Sequence, residues 1–196
     1  MGVVLAGGQS IRMGEDKGLL LYERLTWAQL AFNRLTSMHL PVRIVINQQQ
    51  LSSYRAIFPD RQLTIDNPHL TIGGPLKGIL TVHLLYPQED LFIIACDMID
   101  MQVDLLAFLI EIYNDRPVET LVPVNNKQPE PLCGIYSANA LDKIYDLFIN
   151  GCLGKHSMKY VLANLDTRYL PVSGVWTNYF TNCNTQKDLA LALAYK

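Results

Sequence analysis

Short apolar runs alternate along this chain with longer segments whose apolar side chains recur every three or four residues. A run too short for a helix reads as a strand buried on both faces, and a strand followed by an amphipathic helix can feed a parallel neighbour. The alternation therefore predicts an α/β protein with a mostly parallel central sheet covered by helices. Strands are expected at Gly2 to Ala6, Val42 to Ile46, Leu63 to Ile65, Leu91 to Cys96 and Thr120 to Val124. Helical faces are read in Trp27, Leu30, Ala31, Arg34 and Leu35, in Leu76, Leu80 and Leu84, and in Val103, Leu106, Leu109 and Tyr113. A further strand is expected near Leu132 to Tyr136, with helices near Ala138 to Ile149 and Ser157 to Leu165 and a closing helix from about Thr185 to Tyr195. No internal repeat and no long linker interrupts the pattern, so residues 1–196 read as a single domain.

Composition narrows the function. Hydrophobic residues make up 49% of the chain and charged residues 17%, against roughly a quarter charged in an average soluble domain. Lys and Arg number 16 against 18 Asp and Glu, for a net charge of −2. That balance lacks the basic excess of a nucleic-acid surface, so no nucleic-acid partner is expected. No apolar run approaches the ~20 residues of a membrane span, so no membrane partner is expected either. Cys96, Cys133, Cys152 and Cys183 form no close pair of the kind zinc or redox motifs use, and read as reduced core thiols. The start of the chain carries no basic segment, apolar signal core or cleavage site, which predicts a cytoplasmic protein.

In such a sheet, ligands sit beyond the carboxyl ends of the strands. The first strand runs into Leu5-Ala6-Gly7-Gly8-Gln9-Ser10-Ile11-Arg12-Met13-Gly14-Glu15-Asp16-Lys17. Gly7 and Gly8 let the backbone approach a ligand without Cβ interference, and their amides can face phosphate oxygens. Arg12 and Lys17 add positive charge. The glycine spacing fits neither a Walker A loop nor the dinucleotide fingerprint. Asp97 follows the apolar run Leu91 to Cys96, so its carboxylate should stand at a strand's carboxyl end, where it can bind Mg²⁺.

This segment resembles the signature of the nucleotidyltransferases, and its form is similar to that of the molybdenum cofactor guanylyltransferases of the MobA type. Gly74-Pro75-Leu76-Lys77-Gly78-Ile79 resembles the family's "GPLxGI" loop, and Cys96-Asp97 its metal position. Pro131-Leu132-Cys133-Gly134-Ile135-Tyr136 resembles "PLxALY", and Thr181-Asn182-Cys183-Asn184-Thr185 the element before the last helix, with Gln186 in place of Pro. The resemblance implies a three-layer α/β/α Rossmann-like nucleotidyltransferase fold. It also implies the reaction: the phosphate of molybdopterin attacks the α-phosphorus of GTP, releasing pyrophosphate and forming the guanine dinucleotide cofactor. The implied substrates are GTP and the molybdopterin cofactor, with Mg²⁺ as cofactor and molybdoenzyme maturation proteins as candidate recipients of the product.

Two anions must meet in that reaction. Unit charges about 5 Å apart repel by roughly 3 kcal/mol at an effective dielectric constant of 20, so charge neutralisation and alignment are most of the catalytic task. Arg12, Lys17 and Asp97 are the expected catalytic residues. Lys17 is expected near the α-phosphate, Arg12 near the leaving pyrophosphate or the incoming phosphate, and Asp97 on the metal. The attacking phosphate is already ionised, so no general base is required. The resemblance also assigns Leu5, Ala6 and Gly7 to the guanine and ribose through their backbone, Asn47 and Asp66 to the nucleotide, and Asn182 and Asn184 to the acceptor. Asn47 and Asp66 can equally be turn residues, and Asn184 or Thr185 a helix cap. Asp100 offers a second carboxylate near the metal position. Lys155, His156 and Lys159 either face the second phosphate or form a solvated helix face, whereas His39, His69 and His83 carry no sign of catalysis or metal binding. The Ala-Gly-Gly form implies guanylyl over cytidylyl transfer. The alternatives are a cytidylyl- or sugar-1-phosphate nucleotidyltransferase, or a non-catalytic nucleotide-binding protein of the same fold.

Overall fold

Every residue of Gly2–Leu5 and of Leu91–Ala95 is buried, the pattern of strands covered on both faces. The computed structural model, which describes residues 1–7, 16–22 and 24–180, lays the two strands side by side and parallel, Gly2 opposite Phe92 and Leu5 opposite Ala95. In chain order the strands are β1 (Gly2–Leu5), β2 (Leu21–Tyr22), β3 (Leu25–Thr26), β4 (Val42–Ile46), β5 (Leu63–Ile65), β6 (Leu91–Ala95), β7 (Thr120–Asn125), β8 (Gln128–Pro129), β9 (Cys133–Tyr136) and β10 (Thr167–Pro171). The helices are α1 (Trp27–Ser37), α2 (Leu51–Arg55), α3 (Pro75–Leu85), α4 (Val103–Asp115), α5 (Ala138–Ile149) and α6 (Met158–Ala163).

The main sheet has the order β10-β7-β9-β6-β1-β4-β5, with β8 added on β7; β2 and β3 form a separate hairpin. Neighbours along that order are parallel except at β9, which lies antiparallel to both β6 and β7. Alternate side chains enter opposite layers, as the two-residue period of a strand requires. Val4, Ile44, Phe92 and Ile94 pack toward α1, α2 and α4, while Val3, Val45, Leu91 and Ile93 pack toward α3, α5 and α6. The mostly parallel three-layer expectation holds. Because β1 leads through α1 to β4 on one side and β6 flanks it on the other, the strand order reverses direction at β1, where such sheets bind ligands.

Several local expectations change. Leu84 is 37% exposed although Leu76 and Leu80 are fully buried, because the inner face of α3 turns through Ile79 and Val82 instead. β10 lies outside the expected strands: Thr167–Pro171 has no apolar run, and it pairs with β7 alone at the sheet edge. Cys96 and Cys133 are buried thiols, but Cys152 is exposed and is not a core residue. His83 Nε2 lies 2.9 Å from an Asp142 carboxylate oxygen, a contact between α3 and α5 away from the carboxyl ends of the strands. The expected closing helix and Cys183 lie outside the described residues. No described helix is long and apolar enough to cross a membrane.

Candidate active site

Beyond the carboxyl ends of β1, β4 and β6 lies a cleft of about 270 Å³. Leu5, Ala6 and Gly7 form one wall, Cys96 and Asp97 another, and Asp66 with the start of α3 a third, with Lys17 reaching in from the chain that follows. The walls are tied together through the backbone. Ala6 N–H donates to the Val45 carbonyl at 3.0 Å, and Cys96 N–H donates to the Leu5 carbonyl at 3.1 Å. The strand pairing thus continues one residue past β1, so Ala6 and Cys96 are fixed before the chain turns away.

Lys17 Nζ stands 3.6 Å from Asp97 Oδ2, with both side chains partly exposed to the cleft. These residues are eighty positions apart in sequence, brought together because β1 and β6 are adjacent. Asp97 begins a tight loop, and Arg34 of α1 anchors that loop. Its guanidinium donates to the Met98 carbonyl at 2.9 Å and to the Ile99 carbonyl. Burial pushes the Arg34 pKa down, opposed by the attraction of Asp100. Asp100 therefore serves Arg34, and it does not line the cleft.

Lys17 opens a 3₁₀ turn, Lys17–Leu19, whose cap is Asp16. Asp16 Oδ1 accepts from Gly18 N–H at 3.0 Å and from the Tyr54 hydroxyl at 3.2 Å, and Asp16 Oδ2 accepts from Gln50 Nε2 at 2.7 Å. Gly18 is required for this packing, since a Cβ there would fall 2.0 Å from the Tyr54 hydroxyl. Burial raises the Tyr54 phenol well above its ordinary pKa, so it stays a donor. Sequence reasoning assigns nothing to Asp16, Gln50 or Tyr54; the position of Asp16 beside Lys17 is the one available signal.

Asp66 lines the cleft, and its Oδ1 is buried without a hydrogen-bond partner. Burial raises its carboxyl pKa, against a smaller attraction from Lys77. A carboxyl with a folded pKa above its unfolded value of about 3.9 binds more protons folded than unfolded, so stability is lost as pH rises through the raised pKa. Asp66→Asn is expected to abolish that pH-dependent loss. At pH 7 it should also raise the Tm of the ligand-free protein, because the neutral amide avoids the burial penalty of the charged carboxylate. Thermal melts between pH 4 and 8 check this, and an unchanged pH slope would refute it.

Asn47 is not among the cleft-lining residues. It caps the 3₁₀ turn Gln48–Gln50, its Oδ1 accepting from Gln49 N–H at 2.9 Å and Gln50 N–H at 3.1 Å. His156 Nδ1 accepts from Gly73 N–H at 3.4 Å, and Lys159 Nζ donates to Gln128 Oε1 at 3.1 Å, while Lys155 is exposed. Arg12, Asn182 and Asn184 lie outside the described residues.

Among the described residues no three His, Cys, Asp or Glu side chains gather into a metal cage. The hard carboxylate oxygens of Asp97, at the strand end in the cleft, suit a cation that takes one or two carboxylates and completes its shell with water and substrate phosphate. An anionic ligand in the cleft would meet the Lys17 ammonium group beside a carboxylate able to take a cation.

A family model described as the MobA-like NTP transferase domain matches residues 2–168. A protein of Bacillus cereus (strain ATCC 10987 / NRS 248) named "Probable molybdenum cofactor guanylyltransferase" is 29% identical over 194 residues, covering 97% of this chain and 94% of its own length. The crystal structure of molybdopterin-guanine dinucleotide biosynthesis protein A from Archaeoglobus fulgidus superposes with a TM-score of 0.79 at 20% identity, covering 100% of this chain and 98% of the other. Rv0371c of Mycobacterium tuberculosis, in complex with manganese, superposes with a TM-score of 0.67 at 15% identity, covering 100% and 98%. The two superpositions show the fold. The matched residues 2–168 carry every wall of the Lys17 and Asp97 cleft, and on that ground the chain belongs to the MobA-like NTP transferase family of nucleotidyltransferases.

Proposed function

We propose that this protein, acting as a single nucleotidyltransferase domain over residues 1–196, transfers GMP from GTP to the phosphate of molybdopterin. The observation that carries the reading is the meeting of Lys17 and Asp97, 3.6 Å apart, in one cleft with the backbone of Leu5, Ala6 and Gly7. The names of the relatives support the choice of substrates. An oxygen of the acceptor phosphate forms the new bond to the α-phosphorus, and the bond to the bridging oxygen breaks as pyrophosphate leaves. Lys17 holds positive charge beside the α-phosphoryl oxygens, where negative charge must be tolerated as the acceptor approaches. Leu5, Ala6 and Gly7 present backbone to the base and ribose, Asp66 takes a polar group of the nucleoside, and Asp97 holds Mg²⁺. Bound there, the ion would neutralise phosphate charge and align the leaving group. A protein with the same fold has been solved in complex with manganese, in keeping with the use of a divalent cation. A cytoplasmic location, where GTP is supplied, completes the reading.

Two measurements test it. In thermal-shift titrations with Mg²⁺ and GTP, CTP, UTP or ATP, GTP at 100 times its Kd is expected to add about 2.7 kcal/mol, with the other nucleotides adding less. Incubation of the protein with MgGTP and molybdopterin is then expected to yield pyrophosphate and the dinucleotide in equal amounts. Stabilisation by CTP alone, or pyrophosphate formed only with a sugar 1-phosphate, would overturn the assignment of substrates. Tight GTP binding without product from molybdopterin would overturn the proposed reaction.

A further inference from the structure

We infer that Gln50 is a positioning residue for the reaction: its amide ties Asp16, and through it Lys17, to the carboxyl end of β1. This rests on the reading of Lys17 as the residue that meets the α-phosphate. Gln48 and Gln49 are exposed, whereas Gln50 is buried and its side chain turns inward. Its Nε2 donates to the Ala6 carbonyl at 3.0 Å and to Asp16 Oδ2 at 2.7 Å, and its Oε1 accepts from Asn47 N–H at 2.8 Å. The amide orientation is dictated by these neighbours. A carbonyl and a carboxylate both demand a donor, and the Asn47 N–H demands an acceptor, so a primary amide is the group that answers all three.

Ala6 belongs to the wall that faces the nucleoside, and Asp16 caps the turn that starts at Lys17. One side chain therefore sets the spacing between the nucleoside wall and the ammonium group. That spacing decides whether Lys17 stands at the reacting phosphoryl group. A misplacement of about 1 Å can cost on the order of 10²-fold in rate without removing any reacting group. The Tyr54 hydroxyl and Gly18 N–H complete the ring of donors around Asp16, so its charge is directed by three hydrogen bonds from separate parts of the chain.

The test uses the full chain with MgGTP and molybdopterin, reading kcat by pyrophosphate release, GTP Kd by equilibrium titration, and the melting curve. Gln50→Met keeps the packing and removes both donors. It is expected to lower kcat on the order of 10- to 100-fold while GTP Kd changes by less than about threefold. Gln50→Glu places a carboxylate against Asp16 and is expected to lose more. Adding Asp16→Asn to Gln50→Glu exchanges donor and acceptor across the same 2.7 Å contact, while the amide oxygen introduced at position 16 can still accept from Gly18 and Tyr54; the Ala6 carbonyl is still left without its donor. This pair is expected to regain part of the kcat lost in Gln50→Glu and to stay below wild type, since only the contact with position 16 is rebuilt; a simply destabilised fold would regain nothing. Gln50→Met at wild-type kcat, a parallel loss of kcat and melting temperature in every variant, or no recovery in the exchanged pair would each overturn the proposal. If Lys17→Met is also active, the reading of Lys17 fails first; if Lys17→Met is inactive while Gln50→Met is not, this inference fails alone.

Discussion

Lys17→Met is expected to lower kcat for pyrophosphate formation from MgGTP and molybdopterin by about 10²- to 10³-fold, the loss found when one preorganised group facing developing charge is removed. Methionine keeps most of the unbranched side chain and deletes its charge. The ion pair with Asp97 is partly exposed at 3.6 Å, and such pairs contribute only about 0–1 kcal/mol to folding. The melting temperature should therefore stay within a few degrees of wild type while activity falls. Lys17→Arg returns the charge on a bulkier, planar group and is expected to recover part of the rate and not all of it. Stopped pyrophosphate assays under GTP saturation, with melts on the same samples, separate these outcomes. A Lys17→Met enzyme within about twofold of wild type would remove the residue from the reaction.

The second large effect is expected from Asp97→Asn. The substitution is isosteric and keeps an oxygen at the strand end, but it withdraws the negative charge that recommends the site to a hard divalent cation. Loss of several kcal/mol of metal-assisted stabilisation corresponds to a rate decrease of about 10²- to 10³-fold, accompanied by a higher Mg²⁺ concentration for half-maximal activity. Pyrophosphate release measured across a Mg²⁺ titration checks both. The control is Asp100→Asn, because Asp100 attracts the partly buried Arg34 and does not line the cleft; it should keep most of its activity and an unchanged Mg²⁺ midpoint. An Asp97→Asn enzyme with the wild-type Mg²⁺ curve would contradict the metal assignment, and equal losses at both positions would point to a disturbed loop in place of a lost ligand.

The elements that can be read from the chain are those whose burial leaves a one-dimensional trace. β1, β4, β5, β6 and β7 are runs of side chains packed on two faces, and α5 occupies the span its periodicity predicts, Ala138–Ile149. β10 and the β2 and β3 hairpin leave no such trace. A partly exposed edge strand and two-residue strands are held by pairing partners, and pairing is a property of the fold. Lys17 and Asp97 are legible because each stands just past an element end and within a motif. Asn47 illustrates the opposite case, since a turn residue at a strand end has the same local sequence whether it touches a ligand or closes a turn, and only the fold shows that its side chain caps Gln48–Gln50.

Hydrophobic period and chain order are one-dimensional quantities, and from them follow the class of sheet, the strand ends at which a ligand could be met, and the charged residues available there. Folding in three dimensions was needed to bring Lys17 to Asp97, to leave an acceptor of Asp66 unpartnered, and to send Gln50, not its exposed neighbours Gln48 and Gln49, to both Ala6 and Asp16. Hydrogen bonds and ion pairs act over about 3–4 Å, and residues dozens of positions apart come within that range only after strand order, register and helix packing have been set.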